Sequence, residues 1–436
     1  MCGTAKANTI TSISSHLANV NGDVLRFEGS GLVSPVYCTF HYTVKRGPAM
    51  ERVEGVVGAN GTSMVCAVPR TPYRIVLHHQ HRLPWPGCSW DDRCMANSFS
   101  LTVEAQHSVL RRFNMSYFYG SFKDPHPGYS ATSADFQNQL FAMNHPTDCS
   151  VVKVLLLRNP LHQGQCTGIG MVFYGHYITA LKEAYEQGRA LVFKDSFSSY
   201  CYYSDRNTDG ERYIQLPSNC TPENINMSLV TEFKTDKAWF SSVAKSPKYQ
   251  EQSVSWFRAN FLKYLFRYTP SFQQHLLHVT NSMKFQTPCV GVHLRRGERG
   301  NMGFTTVWLA EYPLFDLNDA ARLLRELKRL TGVGTVVLAT DEPEFFNDTP
   351  KFSNEFHIIY DKVYKRAEHG RDCVRETIAG CTPGVNASSV IKTILTEIYL
   401  LSQCQYYVGT LTSTFSKLAV DYMIANQNQT IVISLE

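Results

Sequence analysis

The 436 residues exceed what one hydrophobic core ordinarily organises, so two or three domains are expected. At 43% hydrophobic and 18% charged residues, the composition is that of a globular protein and excludes an extended disordered chain. The net charge of +5 is spread over interspersed acids and bases; it suits a small anionic ligand and offers no basic run for nucleic acid.

Residues 8–105 read as β. Short β-branched or aromatic runs (NTITSIS, DVLRFEGSG, VYCTFHYTV, VEGVVG, SMVCAVP, YRIVLHH, SFSLTVE) are divided by Gly, Pro, Asn and Asp clusters, the pattern of an antiparallel sandwich. The order of these runs, with Cys66-Ala67-Val68-Pro69 near the end, resembles the TIG/IPT immunoglobulin-like domain over residues 1–105. That resemblance implies a binding or spacer module without chemistry of its own. Cys38 and Cys66 stand either as a bridge between sheets or as two buried thiols. Residues 106–148, rich in aromatics, Pro, His and Ser, read as a connector lying over another domain's surface.

From residue 149 the pattern turns to α/β. VVKVLLL (151–157) has the continuous apolar character of a buried parallel strand. Gly164, Gly168 and Gly170 follow, then an amphipathic helix ending at Gly188, then the strand ALVFKD (190–195). A helical stretch over 253–283, broken near Pro270, completes an N-terminal α/β and helical unit over 149–285. Residues 286–436 form a second unit. Its strands are CVGVHL (289–294), GTVVLATDEP (334–343), FHIIYD (356–361), QYYVGT (405–410) and TIVIS (430–434), alternating with helices at 317–332, 388–404 and in STFSKLAVDYMIANQ. The expected fold is multidomain: an N-terminal antiparallel β-sandwich followed by an α/β GT-B-like pair of Rossmann-like units.

Ligands in open α/β sheets sit outside the carboxyl ends of the strands, and three features of the second unit fall there. The first is His293-Leu294-Arg295-Arg296-Gly297-Glu298-Arg299, in which a planar guanidinium fork matches a diphosphate; the plain alternative is an Arg paired with an acidic neighbour. The second is Ala339-Thr340-Asp341-Glu342-Pro343, a polar contact to ribose, base or sugar, or simply a helix cap. The third runs from Gly409 through Ser413 to Ser416, small hydroxyl residues at a helix start that suit an anion or cap the helix, or both.

Over residues 255–425 the chain resembles the catalytic half of the α1,6-fucosyltransferases, both the eukaryotic core fucosylation enzymes and the bacterial nodulation enzymes. It carries the family's His-x-Arg-Arg at His293 to Arg296, Ala-Thr-Asp-x-Pro at Ala339 to Pro343, and the Glu397, Gly409 and Ser413 pattern, with Glu311-Tyr312 in register. The resemblance implies metal-independent, inverting transfer of fucose from GDP-fucose to a glycan or glycoprotein, with no resident cofactor. By the same resemblance His293 and Glu397 would contact guanine, Arg295 the diphosphate and Ser413 a phosphate. Arg296, Tyr312 and Asp341 would shape the pocket, and Gly168 and Gly170 would let backbone approach the nucleotide.

There are departures. The family's nucleotide-contacting Asp is Glu397, its Thr-Asp-Lys is Gly297-Glu298-Arg299, and the Glu proposed as its catalytic base falls on Gly303. Glu298 is the remaining carboxylate of that loop and becomes the candidate base. The family's SH3 domain and coiled coil have no counterpart, so an acceptor other than the N-glycan core is expected. A catalytically degenerate protein that binds glycans or nucleotide sugars is the competing reading, and a transferase using another GDP- or UDP-sugar is a third.

Thirteen cysteines and the sequons at Asn60, Asn114, Asn219, Asn226, Asn347, Asn386 and Asn428 point to the secretory pathway, the Golgi lumen by analogy with the family. The first residues lack an apolar signal segment and the chain holds no membrane anchor. Three readings stay open: an anchor encoded upstream, a mis-set start, or a protein outside that pathway.

Overall fold

A computed structural model of the chain describes residues 9–13, 17–19, 24–30, 32, 35–44, 47–60, 62–67, 98–105, 108–120, 129–158, 169–194, 212–233, 247–249, 252, 254–295, 317–340, 344–361, 387–409, 411, 413–427 and 430–435. Strands come first: β1 (Thr9–Ile13), β2 (Leu17–Asn19), β3 (Val24–Ser30), β4 (Val36–Val44), β5 (Gly47–Val57), β6 (Ser63–Ala67), β7 (Ser98–Ala105) and β8 (Ser108–Gly120). The run expected as a strand at 73–79 lies outside the described residues. Along β4, Val36, Cys38 and Phe40 are fully buried, the period of two that puts one face of a strand on a core. β5 pairs twice, over 47–55 with β4 and through Val56 and Val57 with β6. Cys38 and Cys66 form a disulfide between β4 and β6, which are not hydrogen-bonded neighbours, so the bridge is the reading found.

The segment 106–148, expected as a connector, contains a strand and a helix. β8 runs past its partner β7 and sets Phe118, Tyr119 and Gly120 antiparallel to Ile433, Val432 and Ile431. The aromatic run is therefore part of a sheet, and its partner strand lies at the far end of the sequence, where no local pattern announces it. Helix α1 (Tyr129–Asn144) follows, with Phe136 and Leu140 fully buried. The Phe136 ring stands 5.0 Å from those of Tyr185, Tyr249 and Trp256.

A three-stranded parallel sheet has β9 (Val154–Leu157) between β10 (Ala190–Phe193) and β11 (Val230–Glu232). All four residues of β9 are buried, as a strand covered on both faces requires. The single helix expected between β9 and β10 is interrupted: α2 (Ile169–Val172) passes through a π turn, Phe173–Tyr177, into α3 (Ile178–Glu186). Gly188, at φ +61°, closes α3 in the left-handed conformation that glycine takes without penalty. Then come α4 (Val254–Leu265) and α5 (Pro270–Ser282); the expected break at Pro270 is found, with Thr269 as the cap and Pro at the first helical position.

The C-terminal unit is β12 (Cys289–Leu294), α6 (Leu317–Thr331), β13 (Thr335–Thr340), α7 (Glu344–Asp348), β14 (His357–Ile359), α8 (Ala387–Ser402), β15 (Tyr406–Gly409), α9 (Thr414–Asn426) and β16 (Ile431–Ser434). Every residue of β12 and β13 is buried. Val290 and Val292 share a core with α6, while Cys289 and Tyr407 share one with α8 and α9, so helices cover both faces. The five strands are mutually parallel in the order β14-β13-β12-β15-β16, and β8 continues the sheet beyond β16.

Two further disulfides link Cys149 to Cys220 and Cys289 to Cys404. The second ties the start of β12 to the chain between α8 and β15, across 115 residues of sequence, and both sulfurs' residues are fully buried. Replacing both residues by alanine releases that constraint on the unfolded chain and is expected to cost about 2–4 kcal/mol. Urea unfolding of the double variant checks this, and an unchanged midpoint would contradict it.

Candidate active site

Counted within the C-terminal unit, the strand order is 3-2-1-4-5. Connections leave the middle pair, β12 and β15, toward opposite faces of the sheet, and a crevice opens at their carboxyl ends. His293 and Gly409 face one another across that pair. Any Cβ at Gly409 would stand 2.7 Å from the His293 carbonyl oxygen, so only glycine lets the two strand ends come this close.

His293 is buried, and its ring is held from the far side of the crevice. Nδ1 shares a 2.7 Å hydrogen bond with the hydroxyl of Ser416, and the ring lies 4.5 Å from that of Phe415. Both partners belong to the first turn of α9. The helix that leaves β15 thus folds back over the last residues of β12. Arg295 follows two residues later, half-buried, where the chain leaves the strand.

Ser413 is the N-cap of α9, yet its side chain makes no capping hydrogen bond; its hydroxyl is buried with no partner among the described residues. A buried hydroxyl left unpaired costs about 1–3 kcal/mol, and it stands at the amino end of a 13-residue helix whose dipole favours an anion. Glu397 lies on α8, which packs against β12, β13 and α9, and its carboxylate side chain is buried.

Gly170 stands against the first turn of α9. A Cβ there would sit 2.6 Å from Thr414 Oγ1 and 2.8 Å from the Thr414 carbonyl carbon, so the glycine lets α2 press on the first turn of α9. His293, Arg295, Ser413 and Gly170 therefore gather around the β12 and α9 ends. Arg296, Glu298, Tyr312, Asp341, Gly168 and the substituted position Gly303 lie outside the described residues. Ser416 closed the hydroxyl-rich stretch read from sequence but was given no role of its own, and Phe415 was not singled out. Ser416 falls three residues after Ser413, the helical spacing of neighbours, and that was the available signal.

The doubly wound order, with polar residues at its middle pair, is that of an open α/β sheet whose topological switch lies between β12 and β15. Residues 242–431 match the sequence model of a family described as alpha-(1,6)-fucosyltransferase N- and catalytic domains, so the family's signature is present over that segment. The alpha-(1,6)-fucosyltransferase of Drosophila melanogaster is 24% identical over 170 residues, covering 39% of this chain and 25% of that protein. The chain thus spans about a quarter of the length of that curated relative.

Among solved structures, NodZ alpha-1,6-fucosyltransferase soaked with GDP-fucose aligns with a TM-score of 0.39 at 13% identity, over 65% of this chain and 99% of that one. POFUT1 in complex with GDP aligns with 0.27 at 13%, over 41% and 49%. The TIG domain of human nuclear factor of activated T-cells, cytoplasmic 4, aligns with 0.17 at 14%, over 27% and 90%.

Gly409→Ala is expected to destabilise the chain by about 1–3 kcal/mol, because the strands must part or bend to admit the methyl group beside a backbone oxygen. The denaturation midpoint reads this directly, and a midpoint equal to that of the unaltered protein would contradict the packing argument.

Proposed function

We propose that the chain is an inverting glycosyltransferase of the GT-B-like kind that moves fucose from GDP-fucose to a glycan hydroxyl, α1,6 in linkage, without a metal. The observation that carries this reading is the unpaired, buried hydroxyl of Ser413 at the amino end of α9, on the same crevice as the strand end that bears His293 and Arg295. The family match over 242–431 supports the choice of donor.

In this reading the acceptor hydroxyl attacks the anomeric carbon of fucose as the bond to the diphosphate oxygen breaks. The leaving GDP gains negative charge. The Arg295 fork, the Ser413 hydroxyl and the first N–H groups of α9 stabilise that charge with little rearrangement. His293, its Nδ1 edge committed to Ser416, and buried Glu397 read the base. Arg296, Tyr312 and Asp341 complete the pocket, and Glu298 takes the acceptor's proton. The N-terminal strands, as a TIG-like sandwich, act as a spacer or binding module. Gly303 favours a second reading, a chain that binds nucleotide sugar without turnover, because it stands where the family has an acid.

A thermal-shift screen with GDP-fucose, GDP, other GDP-sugars and UDP-sugars separates these readings. GDP-fucose at about a hundred times its Kd is expected to stabilise the unaltered chain by about 2.7 kcal/mol. Arg295→Ala is expected to abolish the shift and the release of GDP, and Arg295→Lys to restore neither fully, because an ammonium cannot replace a bidentate fork. GDP-fucose binding without GDP release would favour the second reading; no shift with any donor would refute both.

The secretory compartment is proposed on two grounds: the three disulfides among the described residues, and the exposure of the sequon residues Asn60, Asn219, Asn226 and Asn347. At Asn60 and Asn226 the side-chain oxygen accepts the backbone N–H two residues on, at 3.1 and 3.0 Å. That turn points the amide nitrogen away from the backbone it caps. Endoglycosidase treatment of protein made in a secretory host is expected to raise its gel mobility, and Asn60→Gln with Asn226→Gln to remove part of the change. A chain of unglycosylated mass would count against this compartment.

A further inference from the structure

The helix that presents Ser413 is gripped along its length by groups that the reaction described above does not use. Asp421, two turns into α9, is buried. It accepts a 2.6 Å hydrogen bond from the Tyr174 hydroxyl and further bonds from Arg258, at 2.9 Å from Nε and 3.3 Å from a terminal nitrogen. Tyr174 lies in the π turn and Arg258 on α4, so two separate elements of the N-terminal α/β and helical unit meet on one carboxylate of the C-terminal unit. Lys263, also on α4, donates to the carbonyl of Ala425 at the last turn of α9. At the other end Gly170 admits Thr414 into van der Waals contact.

Burial, and after it Asp421, push the Tyr174 hydroxyl far above its ordinary range, so it is a donor at every working pH. Burial lowers the pKa of Arg258, but Asp421 and Tyr174 outweigh it and the guanidinium stays charged.

We propose that Tyr174, Arg258 and Asp421, with Gly170, are positioning residues for the donor: they set the tilt of α9 and so hold its first turn and Ser413 against the pyrophosphate. This rests on the reading of that turn as the pyrophosphate site. Asp421 is about 12 Å along the helix from Ser413, so a tilt of only about 5° moves the first turn by about 1 Å. Misplacement on that scale costs up to about a hundredfold when it reaches reacting groups. An extra residue in the π turn is a known feature of functional helices, and here the turn contains the tyrosine that reaches Asp421. The clamp makes donor affinity depend on side chains outside the nucleotide-binding unit.

The test measures GDP affinity by calorimetry and GDP release from GDP-fucose at saturating donor. Tyr174→Phe and Gly170→Ala are expected to weaken GDP binding by about five- to tenfold, the scale of one buried hydrogen bond routed into affinity. The rate at saturating donor should fall as well, by up to about a hundredfold, because Ser413 and the first N–H groups of α9 stabilise the leaving charge. If Gly170→Ala does not fold, Asp421→Asn takes its place with the same expectation.

Leu140→Ala, a fully buried substitution on α1, controls for general destabilisation and should leave GDP affinity unchanged below its unfolding transition. GDP affinity unchanged in the clamp variants, or weakened equally by Leu140→Ala, overturns the proposal. If Arg295→Ala loses GDP while the clamp variants bind normally, the donor site stands and the clamp falls. If the unaltered chain binds no GDP, both fall.

Discussion

The parallel pairing of β12 with β15 is the constraint on which the site depends. Strands whose onward connections leave on opposite faces cannot close over their own carboxyl ends, so a crevice is the geometric result. Gly409 lets the two strand ends lie this close, because any side chain there would meet the His293 carbonyl oxygen. With the strands this close, the first turn of α9 reaches back to His293, and the histidine ring is held by the hydroxyl of Ser416 and the face of Phe415. The imidazole and the first turn of α9 are thus held together by the protein's own contacts.

Main-chain pairing also settles how the N-terminal strands meet this unit. β16 would otherwise offer a free edge, and free edges invite pairing with foreign chains. Phe118 to Gly120 of β8 take that edge. The N-terminal strands are therefore tied to the C-terminal sheet through backbone hydrogen bonds, with β4, β7 and β8 in unbroken succession to β16. The Cys38–Cys66 bond fastens β4 to β6.

What could be read from sequence is what depends on near neighbours. The buried runs of β12, β13 and β9, the stops at Gly188 and Gly332, and the break at Pro270 are all written in a few consecutive residues, and each is found. The convergence of His293, Arg295 and Ser413 was legible because strand ends in a doubly wound sheet share one edge. The pairing of β8 with β16 was not, since a strand's partner three hundred residues away leaves no trace in its own pattern. The π turn was also hidden: Phe173 to Tyr177 carry ordinary helical periodicity, and the extra residue is imposed by packing. Asp421 carries no signal in its own stretch, because its burial depends on Tyr174 and Arg258 arriving from elsewhere.

Gly170 shows how one glycine admits two physical reasons. A glycine after a strand and before a helix suits backbone that must approach a nucleotide, and that was the expectation. In the structure the space its missing side chain leaves is filled by Thr414. The two accounts differ in what they make of the helix α2. In the first, α2 contacts a ligand; in the second, it bears on α9. The second also explains why Tyr174, one turn on from Gly170, faces the same helix α9 and meets Asp421. A glycine alone permits approach and a tyrosine alone supplies a bond; together, one turn apart, they fix both the distance and the angle of α9. That joint constraint is more than a glycine placed only for a ligand's approach would need, and it fixes α9 to α2 and the π turn at two points one turn apart.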